Sequence, residues 1–480
     1  MNYSIIIYII GMILKIEAVF MALPAITALI YQETSGVAFL ITIALCLVIG
    51  LPLTRKKPTR KAFYTKEGFV TVALSWIVLS IMGAIPFVLS HSIPNPVDAL
   101  FETVSGFTTT GASILPQVEN LPKGILFWRS FTHWIGGMGV LVFLLILPPL
   151  SGGGSAVNLM KAESPGPRVE KLMPTVRSTA KILYGIYLSL TVLEILFLLV
   201  GGMPVFDALT TSFGTAGTGG FGIKNDSMAG YSPYLQTVVA VFMVLFGVNF
   251  SFYFLLLMRK FRRALFFEEV RIYMIIILIS IIIITLNIYP IYNGFGDAVL
   301  HSSFQVASII TTTGFSTVDF NVWPQVSKTI LVMLMFVGAC AGSTGGGIKV
   351  SRLILLVKTI GQEIRHFLFP HSVNKITMDK RPISGELIRS INVFMIAYIL
   401  IFSVSMLLVG FDNYDLTTNF TAVAATLNNI GPGLEMVGPA QNFGLFSNGS
   451  KLILIFDMLA GRLEIFPLLI LFSKNTWKKF

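Results

Sequence analysis

Charge is what this sequence has least of. Asp, Glu, Lys and Arg make up 12% of its 480 residues, against about 25% in soluble domains. That shortage excludes an ordinary water-soluble chain, and the mean hydropathy of +0.81 agrees. Cysteine is nearly absent. Cys46 and Cys340 both fall in apolar stretches, which excludes a disulfide framework, a zinc spacing or a redox pair. No grouping of Ser, His and Asp suggests a nucleophile, and no Walker-type glycine loop is present. A membrane-embedded enzyme would need a catalytic constellation, and the chain itself should not hydrolyse ATP. The apolar runs are continuous rather than alternating, which excludes a transmembrane β-barrel.

What is present is a series of apolar runs of roughly 20 residues, each long enough to cross a bilayer as a helix. Two come first, over residues 5–31 and 36–53, and a basic turn from Arg55 to Lys61 follows them. The start lacks a basic leader, and Lys15 and Glu17 interrupt it, so it reads as a membrane helix rather than a signal peptide. Those two residues are expected to snorkel or pair. Further spans are predicted over 68–89, 124–150, 182–200, 234–258, 273–289, 388–409 and 451–472, with an interrupted one over 328–369. Net charge is +11. Its basic residues cluster between units, including Lys161, Arg168, Lys171, Arg259, Lys260, Arg262, Arg263, Lys358 and Arg365. This is a positive-inside pattern rather than a nucleic-acid patch. It places the inter-unit loops and the tail (Lys474, Lys478, Lys479) in the cytoplasm.

Between paired spans lies a short polar segment that occurs four times. Phe101 to Ser113 and Phe304 to Ser316 both end their runs Thr-Thr-Thr-Gly, at Gly111 and Gly314. Looser copies end at Gly220 and Gly431. The result is an internal repeat of span, re-entrant segment and span, with a period of roughly 100 residues. The predicted architecture is an all-α polytopic membrane protein. A hairpin (1–62) precedes four pseudo-symmetric helix–pore-loop–helix repeats around one pore (63–160, 161–264, 265–375 and 376–480).

Each segment reads as a short helix followed by a strand. Asp98, Asp207, Asp297 and Asp415 are expected to cap the four helices. A helix entering from outside aims its partly negative C-terminus at the centre, where a cation is stabilised. The strands offer Thr109, Thr110 and Gly111; Thr218, Gly219 and Gly220; Thr312, Thr313 and Gly314; and Asn429, Ile430 and Gly431. Glycine permits φ > 0 and can turn carbonyls toward an axis. Four such strands can replace the hydration shell of an ion with oxygens. Ligand oxygens for the cation are expected at Thr109, Thr110, Gly220, Thr312, Thr313, Asn429 and Ile430. The strands hold no carboxylate, which argues against a divalent-cation filter.

Four other features stand out. Gly338, Gly342, Gly345, Gly346 and Gly347, followed by Lys349, interrupt the span after the third segment. Each glycine costs a helix about 1 kcal/mol relative to Ala. Non-helical backbone at membrane depth must be buried in protein or line water. Arg462 is an intramembrane charge in the last span, with Glu464, Asp457 and Lys349 as candidate partners. Glu194 reads as a buried structural carboxylate, and His133 as a packing residue of the first unit.

These residues resemble the Trk/Ktr/HKT superfamily of cation transporters. The resemblance rests on the run Phe107 to Ala112, Gly219 to Phe221, Ile310 to Thr317 and Leu427 to Gly433, and it extends to the leading hairpin. Length and the fourth copy are closest to its bacterial TrkH branch. The resemblance implies potassium uptake, with one selectivity glycine per unit. A glycine rather than Ser at position 111 favours potassium. It also implies that residues 338–349 form an intramembrane gate beneath the filter. Arg462 would stand beside that gate and raise the barrier to cations. No covalently bound cofactor is implied. The implied partners are a second copy, forming a homodimer, and a cytosolic, Rossmann-like, nucleotide-binding regulator of the TrkA type. The membrane would be the bacterial cytoplasmic (inner) one. The alternative is a proton- or sodium-coupled symporter with alternating access. Such transporters favour inverted repeats and midplane carboxylates, whereas these repeats run the same way.

Overall fold

The computed structural model describes residues 1–56, 58, 64–146, 176–292, 294–371 and 375–478. The basic residues Lys57, Arg60, Lys61, Lys161, Arg168, Lys171 and Lys479 lie outside the described residues, as does the expected end of a span at Leu150.

The chain opens with α1 (Tyr3–Ile30) and α2 (Ser35–Arg55), an antiparallel hairpin. Gly11 and Gly50 let the two helices meet; a Cβ on Gly11 would press on Leu53 and Thr54. Glu17 is buried, and its two carboxylate oxygens have no hydrogen-bond partner among the described residues. The expected Lys15–Glu17 pair does not form, because residues two apart project from different faces of a helix.

Unit 1 comprises α3 (Thr65–Leu89), α4 (Pro96–Phe107) and α5 (Lys123–Ile146). Unit 2 comprises α6 (Val176–Val200), α7 (Val205–Gly217), α8 (Pro233–Gly247) and α9 (Phe250–Leu257), followed by the short α10 (Phe261–Leu265). Unit 3 comprises α11 (Glu268–Ile288), α12 (Phe295–Ile310), α13 (Gln325–Val337) and α14 (Val350–Leu368). A two-residue-per-strand hairpin, β1 (Thr377–Met378) and β2 (Arg381–Pro382), leads to unit 4. Unit 4 comprises α15 (Gly385–Val409), α16 (Leu416–Leu427), α17 (Asn448–Arg462) and α18 (Phe466–Phe472). Six of the described helices are long and apolar enough to span a membrane, and α8 with α9 makes a bent seventh. The fold is that of a polytopic helical membrane protein.

Two spans that read as continuous are broken. α9 leaves α8 at 89°. Val248 is extended there, and the Asn249 side chain accepts from the Ser251 amide at 2.8 Å, starting a new helix. The last span breaks after Arg462, where Glu464 and Ile465 take φ of 53° and 70°. Pro467 opens the next helix. Its ring would clash with the Leu463 carbonyl four residues back in a continuous helix.

The short helices α4, α7, α12 and α16 have 12, 13, 16 and 12 residues. At about 1.5 Å per residue none can cross a hydrocarbon core of about 30 Å. Their C-terminal halves are deeply buried; Ala422 to Leu427 is buried without a break. Of the four expected caps, only Asp415 is one. It accepts from the Thr418 amide at 2.9 Å, and the Thr418 hydroxyl bond holds its carboxyl below the usual carboxylate range. Elsewhere the helices begin earlier. Asn95 caps α4, Pro204 precedes α7 and Gly294 precedes α12. Asp98, Asp207 and Asp297 therefore sit in the first turn, still favourable to the helix dipole. Asp98 pairs with Lys451 at 2.6 Å, and Asp207 accepts from the Tyr231 hydroxyl at 2.8 Å.

Candidate functional site

The four short helices end in one backbone motif. Thr109, Thr218, Thr312 and Asn429 are left-handed, with φ of 56°, 55°, 59° and 55°. The next amide bonds back five residues each time. Thr110 donates to the Ser105 carbonyl, Gly219 to Gly214, Thr313 to Ser308 and Ile430 to Ala425, over 2.8–2.9 Å. This is a Schellman ending, whose left-handed position usually belongs to glycine. Threonine there is strained, and such strain persists where the surrounding structure over-determines it. One residue further on, Gly111, Gly220, Gly314 and Gly431 are left-handed again, at 80°, 75°, 89° and 100°. The looser copies at Gly220 and Gly431 thus share the backbone geometry of the Thr-Thr-Thr-Gly copies.

The glycines interlock in a closed order. A Cβ on Gly111 would overlap the Gly219 carbonyl oxygen of unit 2. One on Gly220 would overlap that of Thr313 in unit 3, and one on Gly314 that of Ile430 in unit 4. One on Gly431 would press on the Thr110 carbonyl of unit 1 at 2.9 Å. Unit 1 meets 2, 2 meets 3, 3 meets 4, and 4 returns to 1. All four glycines line a single open polar cavity, together with Lys224 and Asn225.

The side chains below the ring differ from unit to unit. The hydroxyls of Thr110 and Thr313 turn sideways to those of Thr108 and Thr311, at 2.8 and 2.7 Å. The Thr218 hydroxyl donates to the Gly217 carbonyl, and Thr312 accepts from the Gly346 amide. Asn429 donates to the Thr110 hydroxyl and to the Met458 carbonyl, both at 2.9 Å. The buried Thr109 hydroxyl has no hydrogen-bond partner among the described residues.

The glycine-rich stretch packs directly against this ring. The Gly346 amide reaches Thr312 Oγ1 at 2.6 Å, and the Gly347 amide the Asn428 carbonyl at 3.0 Å. A Cβ on Gly345 would press on the Thr311 carbonyl at 2.9 Å. Gly338, Gly342 and Gly347 have φ of 68°, 71° and 76°. Gly338 and Gly347 lie back to back, so residues 338–347 form a closed loop. Lys349 is left-handed at 82°, and its ammonium folds back onto the Gly345 carbonyl. The break in unit 2 holds the other side. The Cys340 amide donates to the Gly247 carbonyl, and the Phe250 amide to that of Gly342, both at 3.1 Å.

Among the described residues, the hydrogen bonds of Arg462 go to backbone rather than to the carboxylates suggested by the sequence. It donates to the Thr344 carbonyl of the loop at 2.9 Å and to the Gly136 carbonyl of α5 at 2.5 Å. Glu464 pairs instead with Arg352 of α14, and Asp457 accepts from Ser405 at 2.6 Å. The reason is geometric. Glu464 lies beyond the helix break, and Asp457 is five residues back on α17. Glu194 is fully buried in α6.

Three supports are invisible in the local pattern. Glu102 and Arg129 form a buried pair at 2.8 Å behind the first strand. Glu102 also accepts from Ser113 Oγ and the Ile114 amide, while Arg129 reaches the Gly222 carbonyl at 3.0 Å. His133 is more than packing. Its Nδ1 bonds the Gly106 carbonyl at 2.8 Å, and its Nε2 accepts from the Phe221 amide at 3.2 Å, joining units 1 and 2. Glu269 accepts from the amides of Ala341 and Ser351, pinning both ends of the loop. A charge in an apolar helix is itself a signal, but nothing local says that Glu102 and Arg129 pair. Glu102→Ala leaves Arg129 buried and unpaired, at an expected cost of about 3–5 kcal/mol. The midpoint of thermal unfolding in detergent should fall accordingly, and an unchanged midpoint would refute the buttress. Removing both charges with apolar residues of like volume should restore much of the loss.

A family model described as a cation transport protein, TrkH, matches residues 35–479. The Trk system potassium uptake protein TrkH of Salmonella typhimurium is 39% identical over the full length of both chains. That of Escherichia coli K12 is 38% identical, again over all of both. The crystal structure of the potassium transporter TrkH from Vibrio parahaemolyticus superposes with a TM-score of 0.88 at 34% identity, covering both chains completely.

Proposed function

The chain belongs to the TrkH family of cation transport proteins, and on that premise we propose that it takes up potassium through a channel-like pore along the axis of the four-glycine ring. It is a multi-pass protein of the bacterial inner membrane and a transporter rather than an enzyme. The observation that carries the reading is the closed order of contacts, in which each glycine abuts a carbonyl of the next unit. The carbonyls before the glycines then present oxygens that can stand in for the water of a dehydrated ion. The four short helices direct their C-terminal ends at the same point, which favours a cation. Thr109, Thr110, Gly220, Thr312, Thr313, Asn429 and Ile430 are the proposed potassium ligands. Their oxygens are chiefly backbone, because the hydroxyls of Thr110 and Thr313 are engaged sideways.

The loop over residues 338–347 lies against the inner side of this ring and is the proposed gate. It can yield because its backbone is glycine-rich and held by a countable set of hydrogen bonds. In this reading the inter-unit loops face the cytoplasm, where a nucleotide-binding regulator docks, and the membrane subunit is a homodimer.

The test is flux of radioactive rubidium into proteoliposomes holding the purified chain. Channel-like conduction predicts rapid uptake that persists when proton and sodium gradients are removed. Uptake that requires either gradient would replace this reading with a coupled symporter.

A further inference from the structure

The break in unit 2 has a second face. α9 and α10 lead from α8, the first limb of the bent span, to the spanning helix α11, so both ends of the segment are tied to the membrane. The 89° bend turns α9 nearly perpendicular to α8. Arg259, Lys260, Arg262 and Arg263 are all exposed along this stretch. None of them pairs with a carboxylate among the described residues. Interleaved with them are apolar side chains left open by the described residues; Phe261 is 56% and Leu265 70% exposed. A short helical segment with cations beside uncovered aromatic and aliphatic groups suits the boundary between headgroups and acyl chains.

We infer that residues 257–266 form a binding site for anionic phospholipid, and that its occupancy is transmitted to the loop beneath the ring. The cations would hold the phosphate and the anionic headgroup, and Phe261 and Leu265 would enter the acyl region. Transmission is short. The elbow at Gly247 to Phe250 holds the loop through the Cys340 and Phe250 amides. The Thr344 hydroxyl adds a bond to the Phe246 carbonyl at 3.3 Å. Arg462 bonds the carbonyl of the same Thr344. A lipid that fixes the segment in the interface therefore fixes one wall of the proposed gate. The lipid site stands on the geometry of the segment alone; the effect on flux rests on the proposed transport function.

The experiment uses the full chain with phosphatidylglycerol and phosphatidylcholine as probes. Lipid retained after detergent washing is measured by native mass spectrometry. Rubidium flux is measured in vesicles of phosphatidylcholine with and without phosphatidylglycerol. The wild type should retain phosphatidylglycerol in preference. R259Q/K260Q/R262Q/R263Q should lower that preference about tenfold or more, given the attraction of each cation to an anionic surface. A variant with Lys in place of the three arginines should retain it. Phosphatidylglycerol should change flux through the wild type and not through the glutamine variant. Equal retention by wild type and glutamine variant would overturn the lipid site. Lost retention with an unaltered lipid dependence of flux would overturn the transmission. A wild type that carries no rubidium in either lipid would fail the transport reading, while the retention result would still decide the lipid site.

Discussion

Gly314→Ala lowers rubidium flux about a hundredfold or more, equivalent to roughly 2.7 kcal/mol or more on the conduction barrier, in a protein that still folds. The backbone at Gly314 has φ of 89°. A side chain there costs about 1–2 kcal/mol in conformation alone. The larger effect is steric and local. The new methyl would overlap the Ile430 carbonyl oxygen and stand 3.0 Å from Pro432 Cδ. That carbonyl must turn or retreat, and it is one of the oxygens proposed to replace the ion's water. Because the glycines contact each other's strands in a closed order, displacing one carbonyl disturbs the next interface as well. Gly202→Ala is the control. Its φ is 81°, yet nothing lies within 4 Å of the added carbon. It carries a similar backbone cost without touching the ring, so its flux should stay near that of the wild type. Equal flux in Gly314→Ala and wild type, at equal protein in the vesicles, would remove the ring from the conduction path.

Arg462→Ala should raise resting flux on the order of tenfold. Two effects act in the same direction. A fixed positive charge about 8 Å from a monovalent cation raises its energy by about 2 kcal/mol at an effective dielectric constant of about 20. The same guanidinium also ties the loop to α5, bonding Thr344 on one side and Gly136 on the other. Trp76 lies 5.9 Å from it and limits where it can go. Arg462→Lys separates the two effects. It keeps the charge, but a single ammonium lacks the planar fork that spans both carbonyls. Flux in the lysine variant should fall between wild type and alanine if both effects count. Unchanged or lower flux in the alanine variant, with normal expression, would exclude the barrier role.

Much of the candidate site was legible because its signals are local. A run of apolar residues marks a span wherever it lies. A polar interruption ending in glycine marks a left-handed turn whatever it touches, and four of them in equivalent places mark a repeat. The glycines from 338 to 347 and the charge at Arg462 stand out against the same apolar background. What was misread was also local, but finely balanced. Asp98, Asp207 and Asp297 missed the cap by a few residues because Asn95, Pro204 and Gly294 start the helices earlier. The break at Val248 and Asn249 hides inside an apolar run, where composition carries no mark of direction.

The amino-acid sequence by itself determined that the protein lives in a membrane, that it is built from a hairpin and four like units, and which glycines could turn a carbonyl toward an axis. Hydropathy and backbone freedom are properties of short stretches, so no folding partner was needed to read them. Only the tertiary structure decided the order in which the glycines meet neighbouring carbonyls. It alone decided that Arg462 bonds backbone rather than Glu464 or Asp457, and that Glu102 with Arg129, His133 and Glu269 hold the ring and the loop in place. Each of those facts joins residues far apart in the chain, and such pairings depend on how the helices pack, which no stretch of twenty residues encodes alone.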